Sequence, residues 1–419
     1  MTFPKIDDAP GLKWRKLKNG WQAIWRARAD LVRDGYPLKS GKIWQGAELD
    51  AYTVAHIQEQ CQQRQAEMLW WANGGSTEGP QYTGTWHSLI VCYQTDADSP
   101  YCKKEYRSRQ HYVTLCRLIE KDIGDERIDA IDARRVLRLH EKWTDGGRKV
   151  AIGHALIGML RGLLTYGRTF LKCPQCADLR VTLHDMRFKA AKAREHFLSA
   201  DQVIAIRREA HKMERPYRHS IALAQAFQFD VASGLRQKDV IGEWVPISEP
   251  GPLSDVISGN MKWIKGLRGE EIDENFILRH VTSKRKKMLV ADLKLAPMVM
   301  EEFRLMAGLS PTDELRRGHV PASGPLIYNE QTGLPYNTEA FRNAWRQVAR
   351  AAGVPDEIRN MDSRSGAITE ALAAGASLED VRKGATHSSS AMTQRYSRGD
   401  AAATVTVMQH RAASRKPKT

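Results

Sequence analysis

Met361-Asp362-Ser363-Arg364 and His387-Ser388-Ser389-Ser390-Ala391-Met392-Thr393-Gln394-Arg395-Tyr396 decide the reading of this chain, with 23 residues from Arg364 to His387 and nine from His387 to Tyr396. Outward from that pair, two further segments precede it in order. One is Ala232-Ser233-Gly234-Leu235-Arg236-Gln237-Lys238-Asp239-Val240, and the other is Val281-Thr282-Ser283-Lys284-Arg285-Lys286-Lys287-Met288-Leu289-Val290, which reads as a charged hairpin. Arginine offers a planar fork that stays charged at any working pH and suits anionic oxygens. A lone Gly-Leu-Arg or a basic hairpin tip is an ordinary surface feature. The weight lies in Arg, His and Tyr recurring at two fixed spacings behind those two boxes.

Taken together, the four segments resemble the motifs of the tyrosine recombinase (phage integrase) family. The first is similar to its Gly-Leu-Arg box, the hairpin to the one that carries a catalytic lysine, and the last pair to its His-x-x-Arg box and its Gly-His … Tyr segment. The resemblance implies that Arg236, Arg364 and His387 hold the scissile phosphate. It implies that Lys284 protonates the leaving 5′ oxygen and that Tyr396 attacks, leaving a 3′-phosphotyrosyl bond. Lys284 fits the lysine best, with Lys286 and Lys287 still open. The departure is Met361 where the family has histidine, because a thioether neither exchanges protons nor donates a hydrogen bond. An active but slower enzyme is therefore expected. The chemistry needs cations placed before charge develops on the non-bridging oxygens, and the resemblance implies neither cofactor nor metal. Implied partners are double-stranded DNA, a homo-tetramer on two duplexes and an accessory directionality factor. The implied activity is integration or excision of a mobile element such as a prophage or genomic island. A type IB topoisomerase-like strand transferase and a DNA-binding protein with a degenerate site are the competing readings.

Composition agrees with a polyanionic partner. The 419 residues carry 64 Lys and Arg against 49 Asp and Glu, a formal charge of +15. Six scattered cysteines and an N-terminus, Met1 to Pro10, without an apolar core point to reduced thiols in a cytoplasm, and the resemblance implies a nucleoid-associated protein of bacterial or phage origin. Val150 to Leu164, the most apolar helical stretch, is broken by His154 and Arg161 and is too short to span a bilayer, so no membrane role is expected. Cys173-Pro174-Gln175-Cys176 has the spacing of half a zinc site but no second pair nearby.

The expected fold is mainly α with small β-sheets (α+β). Residues 1–75 read as a small sheet plus helix, with turn signals at Asn19-Gly20 and Asp34-Gly35. Arg15, Lys16, Lys18, Arg26 and Arg28 interleave with tryptophans there, as in an arm-type DNA-binding domain; an oligomerisation module is the alternative. Residues 82–175 read as a helical core-binding domain whose Lys103, Lys104, Arg107, Arg109 and Arg117 could face a phosphate backbone. A basic linker at 176–198, a mixed catalytic domain at 199–400 and a tail at 401–419 complete the expectation. Ala401 to Ala412 is apolar enough for a helix that packs on a neighbouring protomer.

Overall fold

A computed structural model of the chain describes residues 6–72, 81–213, 219–394 and 396, apart from the side chain of Trp70. The expected tail helix at 401–412 and part of the expected boundary near residue 75 lie outside them. The chain divides into two compact units, residues 1–192 with 247–249 and residues 193–246 with 250–419.

In the first unit, β1 (Leu12–Leu17), β2 (Gly20–Arg26) and β3 (Ser40–Gly46) form an antiparallel sheet in that order. Asn19-Gly20 makes the β1–β2 turn, with Leu17 paired to Gly20. The short α1 (Ala29–Arg33) bridges to β3, and α2 (Ala51–Ala72) covers the sheet. Trp25, Tyr36, Ile57, Cys61 and Met68 form the buried cluster between them. Arg15, Lys16, Lys18, Arg26 and Arg28 all stay exposed.

A separate core belongs to α3 (Trp86–Thr95), α4 (Tyr106–Ile123), α5 (Ala133–Thr144), α6 (Val150–Thr169) and α7 (Pro174–Asp185). Thr85 and Asp132 accept the free backbone N–H groups that open α3 and α5. The helix α6 includes the whole apolar stretch from Val150 to Leu164 and is, by length and composition alone, long and apolar enough to cross a membrane. Its Leu156, Ile157, Leu160, Leu163 and Leu164 are instead buried in this core, the pattern of a central helix in a bundle.

The linker expected at 176–198 starts later than the sequence suggested. Residues 174–185 are helical because Cys173 caps them: its Sγ accepts from the Cys176 N–H at 3.3 Å, and Pro174 stands in the first turn. Cys176, Leu179 and Leu183 then bury against the bundle. Extended chain without helix or strand fills only 186–199.

The second unit is built around α9 (Ser220–Asp230), whose residues from Ser220 to Phe229 are all buried. Before it comes α8 (Ala200–Lys212), opened by a reciprocal cap between Ser199 and Gln202. The short α10 (Gln237–Ile241) leads to a sheet of β4 (Glu243–Pro246), β5 (Ile257–Ser258) and β6 (Met261–Ile264), in the order β4-β6-β5. The expected hairpin is β7 (Ile277–Val281) with β8 (Met288–Asp292). Then follow α11 (Pro297–Met306), α12 (Thr338–Ala351), α13 (Ser363–Ala373), α14 (Leu378–Gly384) and α15 (Ser390–Gln394). Phe227, Val299, Phe303, Phe341, Trp345 and Val348 join α9, α11 and α12 in one core.

Candidate active site

Arg364 sits in the first turn of α13 and is only 6% exposed. Two glycines make that seat possible. Gly234 adopts φ 76°, and a Cβ there would stand 2.7 Å from the Gln228 carbonyl oxygen and 3.0 Å from the Arg364 Cα. A Cβ on Gly366 would meet the Leu198 carbonyl oxygen at 1.8 Å. The Gly-Leu-Arg loop, α13 and the segment before α8 therefore lie in backbone contact.

The Arg364 guanidinium donates to the carbonyls of Gly234 and Ala385, and its Nη2 donates to His387 Nε2 at 3.2 Å. Its buried Nε has no hydrogen-bond partner among the described residues, and neither does the buried Nη1 of Arg236. Arg236 caps the start of α10, with Asp239 Oδ2 3.8 Å from its Nη1. Burial, and then repulsion from Arg236, push the Arg364 pKa down to about 10, so Arg364 is still a cation at neutral pH. Cations held together at low dielectric, with donors still open, favour an anion between them.

His387 is 2% exposed. Arginine has no acceptor atom, so Nε2 accepts from Arg364 and the ring proton sits on Nδ1, 3.1 Å from Thr393 Oγ1. Burial first, then the nearby Arg364, Arg236, Arg285 and Lys284, push its pKa down to about 4. The ring is thus neutral. The sequence pointed to His387 as a third donor to phosphate; in this arrangement its Nε2 is an acceptor, because Arg364 already occupies it.

Tyr396 stacks on His387, with ring centroids 5.2 Å apart and planes 27° apart. Its backbone carbonyl accepts from Ser365 Oγ at 3.0 Å, and its ring packs against the small cluster of Ile368, Val381 and Ala385. Tyr396 is therefore held to α13, the helix that carries Arg364. Lys284 lies in the turn between β7 and β8, not on a strand, and is exposed; Lys286, with φ 52°, and Lys287 are exposed in the same turn. The charge of Lys284 is among those that lower the His387 pKa. Met361 is 60% exposed and contributes no group to the cluster.

Three side chains in this site had escaped the sequence. Asp239 Oδ1 accepts from the Ser283 N–H at 2.6 Å, which ties the Lys284 turn to the Arg236 helix. Thr393 fixes the His387 ring, and Arg285 donates to Ser388 Oγ at 2.7 Å, beside His387. All three stand inside the quoted segments, yet only folding shows what they touch. Among the described residues no group of three or more His, Cys, Asp or Glu side chains is placed to hold a metal.

A helical bundle followed by a mixed unit that gathers Arg236, Lys284, Arg364, His387 and Tyr396 has the tyrosine recombinase fold. No family model and no curated protein matches the sequence. Among solved structures, the chain is similar to a lambda integrase tetramer bound to a Holliday junction, at 14% identity over 94% of this chain and 97% of that one, with a TM-score of 0.53. It is similar to a lambda integrase dimer bound to a core site, at 14% identity over 75% and 96% with the same TM-score of 0.53. A Tn1549 transposon integrase bound to circular intermediate DNA matches at 12% identity over 78% and 100%, with a TM-score of 0.51. The likeness is one of fold.

Proposed function

We propose that this protein is a site-specific DNA recombinase that cuts and rejoins DNA through a 3′-phosphotyrosyl intermediate, so integrating or excising a mobile element. The observation that carries the reading is the convergence of Arg236 and Arg364, each with an open buried N–H, on the cluster where Tyr396 stacks against His387. A scissile phosphate takes those donors and relieves the repulsion between the two guanidiniums. The Tyr396 phenol oxygen attacks phosphorus and the bond to the 5′ oxygen breaks; Lys284 gives that oxygen its proton. The phosphotyrosyl bond keeps the energy of the broken linkage, so the freed 5′-hydroxyl of a partner strand closes it without ATP. Met361 is turned to solvent and both ring nitrogens of neutral His387 are engaged, by Arg364 and Thr393, so His387 packs beside the nucleophile and orients it while the Tyr396 proton leaves to water.

Double-stranded DNA is the partner, and two duplexes held by a homo-tetramer with an accessory directionality factor are the assembly this activity calls for. The basic sheet module at the N-terminus would read arm-type sites.

Incubation with a nicked DNA library of random sequence, followed by sequencing of the DNA trapped on the protein, tests the reading. A single enriched site with a 3′ linkage is expected. Trapping without enrichment, together with relaxation of supercoiled DNA, would favour a topoisomerase-like enzyme; no trapped DNA would favour a binding protein.

A further inference from the structure

We infer that Arg194, in the extended segment before α8, is a positioning residue for Arg364; the inference rests on the recombinase reading of the site. Arg194 grips Asp362, two residues before Arg364, with both arms of its fork: Nε reaches Oδ1 at 3.1 Å and Nη2 reaches Oδ2 at 2.5 Å. The same Nη2 donates to the Glu357 carbonyl at 2.5 Å. The Asp362 side chain is 5% exposed, against 30% for Arg194. Asp362 also accepts from the Arg359 N–H at 2.8 Å, closing the turn that launches α13.

The extended segment meets this turn at two more points. The Leu198 N–H donates to the Asp362 carbonyl at 3.3 Å, and the Leu198 carbonyl lies where a Cβ of Gly366 would be. From within the core, Asn360 Nδ2 donates to Gln228 Oε1 at 2.5 Å and Gln225 Nε2 donates to Ser363 Oγ at 2.8 Å, with Trp345 holding Gln225. The residues from Asn360 to Ser363 are thus fixed by α9 on one side and by Arg194 on the other. A bidentate pair to a buried carboxylate sets angle as well as distance, and displacements of about 1 Å at a reacting centre cost on the order of a hundredfold in rate. The competing role for a basic residue here is direct contact with DNA phosphate. That role would turn the Arg194 fork toward the polyanion, whereas it is committed to Asp362.

The test compares full-length wild type, Arg194→Ala, Arg194→Lys and Asp362→Asn by DNA affinity across salt concentrations and by the rate of covalent trapping from saturated nicked substrate. Arg194→Ala is expected to bind within about twofold of wild type with an unchanged salt slope, yet to trap DNA about tenfold to a hundredfold more slowly. Arg194→Lys should recover part of the loss, since one ammonium cannot span both oxygens, and Asp362→Asn should reproduce it. If Arg194→Ala does not fold, Arg194→Lys alone carries the test through the same slower trapping. Trapping by folded variants at the wild-type rate, or a loss in affinity that accounts for the whole loss in rate, would overturn the inference while leaving the recombinase reading intact. A wild type that traps no DNA would overturn both.

Discussion

The helical bundle and the cluster around Arg364 hold their positive charge in opposite ways. In the bundle, Lys103, Lys104, Arg107 and Arg117 are exposed on the surface, and other cations pair with local carboxylates, as in Arg127 with Asp129 and Arg135 with Glu126. In the second unit Arg364 is 6% exposed, its donors go to backbone carbonyls, and the largest charge acting on it is another cation, Arg236. Exposed cations are solvated, screened by salt and interchangeable. Buried ones with fixed carbonyl partners cannot reorganise, so they discriminate the charge that develops in a transition state. The bundle can supply grip, while the cluster can supply chemistry.

Substitutions in the two regions should therefore fail in different ways. The largest effect is expected from Arg364→Ala, which removes the fork and leaves the carbonyls of Gly234 and Ala385 without their donor. Covalent trapping should fall about a hundred- to a thousandfold, with DNA affinity changing far less. A parallel loss of affinity would erase the distinction between grip and chemistry.

A pH series comes next. The folded His387 value, about 4, lies below the ordinary 6.5, so the unfolded chain takes up the proton first. Stability from this group is whole above pH 6.5 and drains as pH falls toward 4. In the folded protein the ring stays neutral through the neutral range, so the acid limb of trapping that belongs to His387 should fall near pH 4. A limb near pH 6.5 that vanishes in His387→Gln would contradict the buried, neutral imidazole.

The smallest effect is expected in the bundle. Arg107→Ala or Arg117→Ala should weaken DNA binding a few-fold, reduce the salt slope by about 0.9 for each phosphate no longer neutralised, and leave the trapping rate of bound DNA unchanged. Loss of trapping from saturated complexes would move the bundle from grip to chemistry.

The sequence carried the two halves of this contrast unequally. Fixed spacings singled out Arg364, His387 and Tyr396, and the Gly-Leu-Arg segment singled out Arg236; the fold gathers these side chains. Alternating tryptophans and Asn19-Gly20 likewise gave away the small sheet. The residues that orient the cluster were not legible. Asp239 meets Ser283 and Arg194 meets Asp362 across separations of 44 and 168 positions, which no local pattern records. The end of the bundle was misplaced for a related reason. Cys173-Pro174-Gln175-Cys176 looks like a metal half-site, while its physical work is to cap α7, and the basic run that suggested a linker begins only after that helix has closed. Met361 was legible as a departure. Its consequence was not: the side chain is 60% exposed and contributes no group to the cluster.

The most direct test of Tyr396 as the nucleophile is peptide mapping of the covalent adduct formed on a nicked substrate. A single modified peptide is expected, with the 3′ phosphate of DNA on the Tyr396 oxygen and no adduct in Tyr396→Phe. An adduct on any other residue, or one that persists in Tyr396→Phe, would contradict that assignment.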